Sequence, residues 1–267
     1  MSVNVFCILG LGHSGTTLLG RLLGAHSEIV ATGGLRNVTR FQRGERDCSC
    51  GAGTPGDCPF WTRVDEALGQ RGQALRELDF DHPYHRLDAG QVRAYYEAVL
   101  QAANARGLVD TSRRRSDFEA LDRVAGVNLI PVHIFKDPRA QVASGKRKGQ
   151  PMLASMWNYK TRGRRVRGLD DATGRVVHVA YERLCRDPHG QIARILKPAG
   201  LAVEPGQIEN FGKNELHLIG GNRMRADRSS TIRLDESWRE RLSGPQQWLV
   251  RAFNGRDHQR NLERADP

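Results

Sequence analysis

A glycine-rich turn near the start of the chain has the composition of a phosphate-binding loop. It reads Gly-Leu-Gly-His-Ser-Gly-Thr-Thr over residues 10–17, between an apolar run and a stretch with leucines at helical spacing. Glycines at a strand-to-helix turn let backbone N–H groups converge on an anion, and the helix dipole adds partial positive charge there. The hydroxyls of Ser14, Thr16 and Thr17 add further donors. The alternative is a tight turn that binds nothing.

The turn departs from two common catalytic motifs. A Walker A loop has the pattern G-x-x-x-x-G-K-[ST], and Gly10 and Gly15 have its spacing, but Thr16 occupies the position of its lysine. The G-x-S-x-G pattern of a hydrolase nucleophile is also absent from the turn. A divergent nucleotide or sugar kinase is therefore one alternative hypothesis, and a non-catalytic nucleotide-binding protein is another.

The same residues resemble a known enzyme family. Residues 12–19, Gly-His-Ser-Gly-Thr-Thr-Leu-Leu, resemble the 5′-phosphosulfate-binding loop of sulfotransferases that use 3′-phosphoadenosine 5′-phosphosulfate (PAPS). That loop typically runs basic residue–Ser–Gly–Thr–Thr, and His13 stands where many members have Lys or Arg. The resemblance implies that PAPS is a co-substrate bound by Gly12, His13, Ser14, Gly15, Thr16 and Thr17.

A second segment resembles the part of these enzymes that binds the 3′-phosphate. Lys136-Asp137-Pro138-Arg139 stands where the family usually has Arg-Asp-Pro-Arg, and Ser144 follows Lys136 by eight residues, as in the family. The end of a strand presents the cation, and a serine on the second turn of the next helix faces the same anion. The alternative is a capped surface helix that binds nothing.

Two later segments extend the resemblance along the chain. Tyr181-Glu182-Arg183-Leu184 resembles a Tyr-Glu-Asp-Leu stretch in which the tyrosine lies near the adenine. Residues 217–225 resemble a stretch that folds back over the cofactor, which implies that Arg225 contacts the 3′-phosphate. The alternatives are a tyrosine that anchors a strand end to the core and an arginine that is solvated surface charge.

The resemblance also implies the chemistry. Sulfuryl transfer moves a compact anionic group in line, so catalysis depends on positioning and electrostatic stabilisation, and no metal is expected. His13, as imidazolium, is the candidate for the contact with the leaving oxygen. Many relatives carry a catalytic Glu in a Gly-Glu-Leu-Arg-like stretch, but this chain has Gly34 at that position. Asp110 ranks first as the base or as a lysine-like organiser; the alternative is a helix cap or an ion pair.

Three of the five cysteines fall in one glycine-rich stretch. Cys48, Cys50 and Cys58 have the spacings C-x-C and C-x₇-C, whereas structural zinc sites usually show C-x₂₋₄-C pairs and four ligands. Asp47, Asp57 or a distant histidine would have to supply the fourth ligand. These three cysteines could bind zinc, form a disulfide or remain free thiols, and free thiols without a metal are the favoured interpretation.

Five short apolar segments alternate with helical patterns. The candidate strands are Val3–Leu9, Glu28–Thr32, Leu108–Asp110, Asn128–Phe135 and Val176–Ala180. This alternation predicts a single α/β domain over residues 1–267, with three α/β/α layers, a mainly parallel sheet and a P-loop-like strand–loop–helix. Residues 36–106 and about 205–267 are expected to be excursions on the acceptor side or over the cofactor.

Composition excludes some classes of protein but selects no function. The chain has 267 residues and a net charge of +11, with 35 Arg among 41 basic residues. A hydrophobic fraction of 39% argues against wholesale disorder. The apolar run Val3–Leu11 is too short to span a membrane and lacks a basic flank, so a cytoplasmic location is expected. The expected partner is a small-molecule or carbohydrate acceptor and not a nucleic acid; oligomeric state is not indicated.

Overall fold

Five parallel strands in the described part of the chain form one sheet. The structure is a computed structural model that describes residues 3–81, 87–113, 115–220 and 227–266. The strands lie in the order β2-β3-β1-β4-β5. Their bounds are β1, Val3–Leu9; β2, Ile29–Gly33; β3, Gly107–Arg113; β4, Val127–Phe135; and β5, Val177–Ala180. The five strands expected from hydrophobic periodicity are therefore confirmed, each within a few residues.

Helices cover both faces of this sheet. One hydrophobic cluster, which includes Trp61, Tyr95 and Phe118, packs on one face, and a second, which includes Leu19, Ile134 and Ile195, packs on the other. The predicted single domain with three α/β/α layers is confirmed. The helices are α1, Thr16–Leu23; α2, Leu35–Gln42; α3, Pro59–Gly69; α4, Ala89–Ala103; α5, Arg115–Leu121; α6, Pro138–Lys146; α7, Met152–Thr173; α8, Tyr181–Arg186; α9, Pro188–Leu196; α10, Trp238–Arg241; and α11, Gly244–Ala265.

The strand register brings three distant parts of the sequence to one edge of the sheet. Leu9, at the end of β1, pairs with His133 of β4, and Phe135, at the end of β4, pairs with Ala180 of β5. Pro131 lies within β4 without a register shift against β1. It precedes the first β4–β5 pair, which begins at Val132, so the strand has only one sheet neighbour at the proline.

Residues 36–106 contribute to the core on one face of the sheet, and their expected role on the acceptor side stays a prediction. Within this range, α2 and α4 contact the sheet and α3 packs on α4. The range supplies more than half of the hydrophobic cluster on that face, including Phe41, Trp61, Val64, Tyr96 and Val99. No local pattern in the sequence says which surface the apolar face of α4 covers. Packing against β2 and β3 makes this segment a core layer.

Polar side chains are buried where the two long helices, α7 and α11, pack together. The buried residues of α11 include Asn254, Asp257 and Asn261. Arg167 of α7 donates to the Asp257 carboxylate at 2.5 Å, and Asn254 Nδ2 donates to the Met156 carbonyl at 2.9 Å. Part of the interface is apolar, because Met156 of α7 and Val250 of α11 belong to one hydrophobic cluster.

None of the helices in the described residues combines the length and hydrophobicity that crossing a bilayer would require.

Candidate active site

The glycine-rich turn connects the end of β1 to the start of α1. His13 and Gly15 have positive φ angles of 70° and 100°, so the backbone turns sharply just before the helix begins. Ser14 stabilises the turn, because its hydroxyl and its backbone N–H both donate to the Leu11 carbonyl, at 2.8 and 3.3 Å. The Gly12 carbonyl accepts from Gln141 Nε2 at 2.7 Å, which fastens the turn to α6. The loop therefore has a defined shape.

Gly15 is also the point where the turn meets another segment. A Cβ at this position would lie 2.6 Å from Cδ2 of Tyr181, which is far inside van der Waals contact. The absence of a side chain at Gly15 therefore allows the tyrosine ring to pack directly against the loop. Two segments separated by more than 160 residues depend on this one glycine.

Lys136 follows β4 and lies next to the turn. Its Nζ donates to Ser144 Oγ at 2.9 Å, and both side chains are buried. The eight-residue spacing predicted from the sequence therefore corresponds to a direct contact between strand end and helix. Burial lowers the pKa of Lys136 to about 8, although nearby Asp235 and Glu182 act in the opposite direction. A bound anion would stabilise the charge that burial penalises.

The third segment follows β5 and is joined to the second. The Glu182 carboxylate accepts from the Asp137 backbone N–H at 2.8 Å, and the Asp137 carboxylate accepts from the Arg139 backbone N–H at 2.8 Å. The Tyr181 hydroxyl donates to the Arg233 carbonyl at 3.1 Å. Tyr181 is thus held at both ends, with its ring on Gly15 and its hydroxyl on the C-terminal part of the chain.

The three segments surround one cavity of about 600 Å³. It is lined by His13, Gly15, Thr16, Thr17, Lys136, Ser144 and Tyr181, all of which the sequence analysis had named. It is also lined by residues that the sequence analysis had not named: Arg147, Asp227, Arg233 and Asp235. Arg147 stands one helical turn after Ser144, and this i, i+3 spacing was a usable signal. Arg233 lies in irregular chain, where no local pattern indicates a site.

Comparison with known proteins identifies the family. The model of the sulfotransferase family matches residues 5–205. The chain belongs to the sulfotransferase family. The match includes most of β1, all of the other four strands and each of the three segments around the cavity. Sulfotransfer is therefore the activity that the family supports. A search of curated protein sequences found no significant match.

Solved structures of sulfotransferases share the fold. The sulfotransferase domain of the Synechococcus PCC 7002 olefin synthase has a TM-score of 0.64 and 17% identity, with 93% of each chain covered. The sulfotransferase domain from the curacin biosynthetic pathway has a TM-score of 0.61 and 17% identity, with 94% of this chain and 97% of that one covered. Mouse sulfotransferase SULT7A1, solved in complex with PAP, has a TM-score of 0.51 and 12% identity, with 96% and 83% covered.

Three of the predicted site residues, Gly12, Ser14 and Asp110, are not among the described residues that line this cavity. Gly12 and Ser14 belong to the turn and shape it through their hydrogen bonds. Asp110 is buried on β3 and accepts a hydrogen bond from the Tyr96 hydroxyl at 2.8 Å. It shares a face of the strand with Leu108, toward α4, and is not among the residues that line the cavity. Arg225 lies outside the described residues, and its role stays a prediction.

Replacement of Gly15 by alanine is expected to disrupt the loop. The positive φ alone costs about 1–3 kcal/mol for a residue with a side chain, and the overlap with Tyr181 adds to it. Gly20→Ala is the matched control, because a Cβ there would meet nothing nearer than Val109 Cγ1 at 4.0 Å. Urea unfolding should show a lower free energy of unfolding for Gly15→Ala than for wild type. In a Tyr181→Ala background the decrease caused by Gly15→Ala should be smaller, but it should not vanish. Equal stabilities of the Gly15 and Gly20 variants would contradict this account.

Asp110→Asn tests whether the buried carboxylate acts in catalysis or in structure. Because Asp110 faces Tyr96 and α4, the substitution should lower the free energy of unfolding by about 1–2 kcal/mol. Tyr96→Phe removes the same hydrogen bond and should cost a similar amount. The rate of sulfuryl transfer should stay within about threefold of wild type in both. A rate loss of about 100-fold in Asp110→Asn alone would instead support the predicted role as a base.

Proposed function

We propose that this sulfotransferase moves the sulfuryl group of PAPS to a hydroxyl or amine of a small-molecule or carbohydrate acceptor. The observation that carries the proposal is the meeting of three segments around one cavity: the glycine-rich turn, the Lys136–Ser144 pair and Tyr181. Each follows a different strand of the sheet, and each resembles a PAPS-binding segment of the family. The crystal structure of mouse SULT7A1 in complex with PAP adds support, because that protein has the same fold.

The cavity suits a nucleotide that carries two anionic groups. A volume of about 600 Å³ falls within the ordinary range for small-molecule sites. The turn and the hydroxyls of Thr16 and Thr17 would hold the 5′-phosphosulfate, with the dipole of α1 behind them. Lys136 and Ser144 would hold the 3′-phosphate, because both are buried and already aligned with each other. The Tyr181 ring would lie beside the adenine.

The residues of the loop then account for transfer without large rearrangement. PAPS supplies the sulfuryl group when bound, and its leaving oxygen acquires negative charge during transfer. His13 borders the cavity within the turn, where an imidazolium can donate a hydrogen bond to that oxygen. The donors of the turn are preorganised by the Ser14–Leu11 and Gln141–Gly12 hydrogen bonds, so little reorganisation is needed as charge develops.

The acceptor would approach the start of α1 from the side opposite the proposed nucleotide cavity. Thr16 and Thr17 border a second, smaller cavity together with Gly33, Thr111 and Gly220. Gly33, Thr111 and Gly220 come from the ends of β2 and β3 and from the chain after residue 205. They are separate from Lys136 and Ser144, the two residues proposed to hold the 3′-phosphate. Transfer in line requires that donor and acceptor lie on opposite sides of the sulfuryl group.

Ligand-induced stabilisation and a transfer assay test the proposal together. The 3′-phosphoadenosine 5′-phosphate product at about 100 times its Kd should stabilise the fold by about 2.7 kcal/mol, whereas ATP with Mg²⁺ and RNA should not. The purified chain should also transfer ³⁵S from labelled PAPS to a panel of hydroxyl and amine acceptors. Stabilisation by ATP with Mg²⁺ instead would favour a kinase, and stabilisation by the product without any transfer would favour a binding protein.

Affinity for the 3′-phosphate should fall as the pH rises through about 8. Burial lowers the pKa of Lys136 to about 8, so the cation is present below this pH and is lost above it. Because the charged form binds the phosphate, Kd for the product should rise above pH 8 by up to about tenfold per pH unit. Isothermal titration calorimetry between about pH 6.5 and 9.5 measures this slope.

Two controls isolate the lysine. Lys136→Arg keeps a cation that does not titrate in this range, so its Kd should change little with pH. AMP, which lacks the 3′-phosphate, should show no such slope with the wild-type chain. The same slope in Lys136→Arg, or with AMP, would assign the pH dependence to another group.

A further inference from the structure

Four potential metal ligands converge at a place away from the nucleotide cavity. The sulfur atoms of Cys48, Cys50 and Cys58 and Nδ1 of His217 all lie within 4.8 Å of one another. Cys50 Sγ is 3.6 Å from Cys58 Sγ, and His217 Nδ1 is 3.2 Å from Cys58 Sγ and 3.8 Å from Cys48 Sγ. None of the four lines the cavity that Lys136 borders. His217 lies 159 residues after Cys58 in the chain, so only the fold brings it there.

Three of the six separations match the ligand sphere of one tetrahedral zinc ion, and the other three are no more than 4.8 Å. Zinc binds thiolate sulfur at about 2.3 Å and histidine nitrogen at about 2.0–2.1 Å, so tetrahedral angles place two sulfurs about 3.8 Å apart and a sulfur and a nitrogen about 3.5 Å apart. The Cys50–Cys58, Cys58–His217 and Cys48–His217 distances fall within a few tenths of an ångström of these values. All three cysteines are free thiols in the structure.

Neighbouring groups hold the ligands in position. Cys58 is the N-cap of α3, so the start of this helix fixes the position of its sulfur. Cys48 and Gly51 form a turn, in which the Gly51 backbone N–H donates to the Cys48 carbonyl at 3.0 Å. The His217 imidazole stacks on the ring of Phe60, with centroids 4.8 Å apart and an angle of 8° between planes. In metalloproteins, contacts of this kind with neighbouring groups orient the residues that bind the metal.

The cluster joins two segments that the backbone also joins. The Ser49 N–H donates to the Leu218 carbonyl and the Leu218 N–H donates to Ser49 Oγ, both at 2.9 Å. Ile219 in turn contacts the sheet, because its N–H donates to the Thr32 carbonyl at 2.9 Å. Gly220, the next residue, borders the small cavity at the start of α1. An ion in the cluster would therefore fix the chain that passes the proposed acceptor side of the active site.

We propose that Cys48, Cys50, Cys58 and His217 bind one structural Zn²⁺ ion, which pins residues 217–220 to the loop between α2 and α3. Binding would displace the three thiol protons, and His217 would coordinate through Nδ1 as a neutral imidazole. Three thiolates and one imidazole fill all four positions of the ion, which is the arrangement of a structural and not a catalytic zinc. Soft sulfur ligands select zinc over magnesium or calcium, which take oxygen.

Metal content of the intact chain tests the proposal directly. Protein made in zinc-supplemented medium and purified without chelators should contain about one zinc per chain by inductively coupled plasma mass spectrometry. The double variant Cys50→Ser/His217→Ala should retain less than about a tenth of this amount. Cys50 is exposed and His217 is half-buried, so circular dichroism should show a folded chain. Two controls, Cys185→Ser and Asp57→Asn, lie outside the four ligands and should keep the metal.

Cobalt substitution identifies the ligands. The Co²⁺ form of the wild type should show thiolate-to-metal charge transfer in the near ultraviolet and intense visible bands of tetrahedral cobalt. Both should be lost in the double variant and kept in Cys185→Ser. Wild-type protein with less than about a tenth of a zinc per chain would overturn the proposal. So would a double variant with unchanged zinc content, or a disulfide from Cys50 in freshly purified protein found by non-reducing peptide mass spectrometry.

Discussion

The parallel pairing of β1 with β4 and of β4 with β5 is the constraint on which the active site depends. Parallel strands end at the same edge of a sheet, so the turn after Leu9, the lysine after Phe135 and the tyrosine after Ala180 must be neighbours. Ligand sites of open α/β sheets lie at this edge. The three segments then lock together through side chains, with Gly15 against Tyr181 and Glu182 on the Asp137 backbone. The cavity is a consequence of the register.

The cavity contains a buried lysine, Lys136, whose ammonium donates a hydrogen bond to the neutral hydroxyl of Ser144. Lys136 is 5% exposed, and its Nζ bonds to Ser144 Oγ, so the charge is only partly compensated before a ligand binds. The lowered pKa of the ammonium reflects this cost. A bound phosphate dianion would stabilise the Lys136 ammonium in place of the water that burial excludes. Lys136 follows β4 and Ser144 lies on α6, and these two elements hold the ammonium and the hydroxyl in contact without a ligand.

The C-terminal part of the chain completes the site by polar contacts as well as by apolar packing. Tyr181 donates to the Arg233 carbonyl, and residues 217–219 are joined to the sheet and to the cysteine loop by backbone hydrogen bonds. Helix α11 is held on α7 by Arg167, which bonds to Asp257 and Asn261. Polar contacts of this kind depend on geometry more than on buried area. The proposed zinc ion would add a further link of the same kind, at the point where the chain returns to the start of α1.

The sequence by itself determined the five strands, the glycine-rich turn and the Lys136–Ser144 pair, because each is encoded by residues within about ten positions of one another. The tertiary structure alone decided features that join distant residues. It brings His217 to the three cysteines, Arg233 to the cavity, and Arg167 of α7 to Asp257 of α11. It also turns Asp110 toward Tyr96, because β3 directs alternate side chains to opposite faces of the sheet. Local patterns encode periodicity and turns, whereas the partner of a side chain is set by the packing of the whole chain.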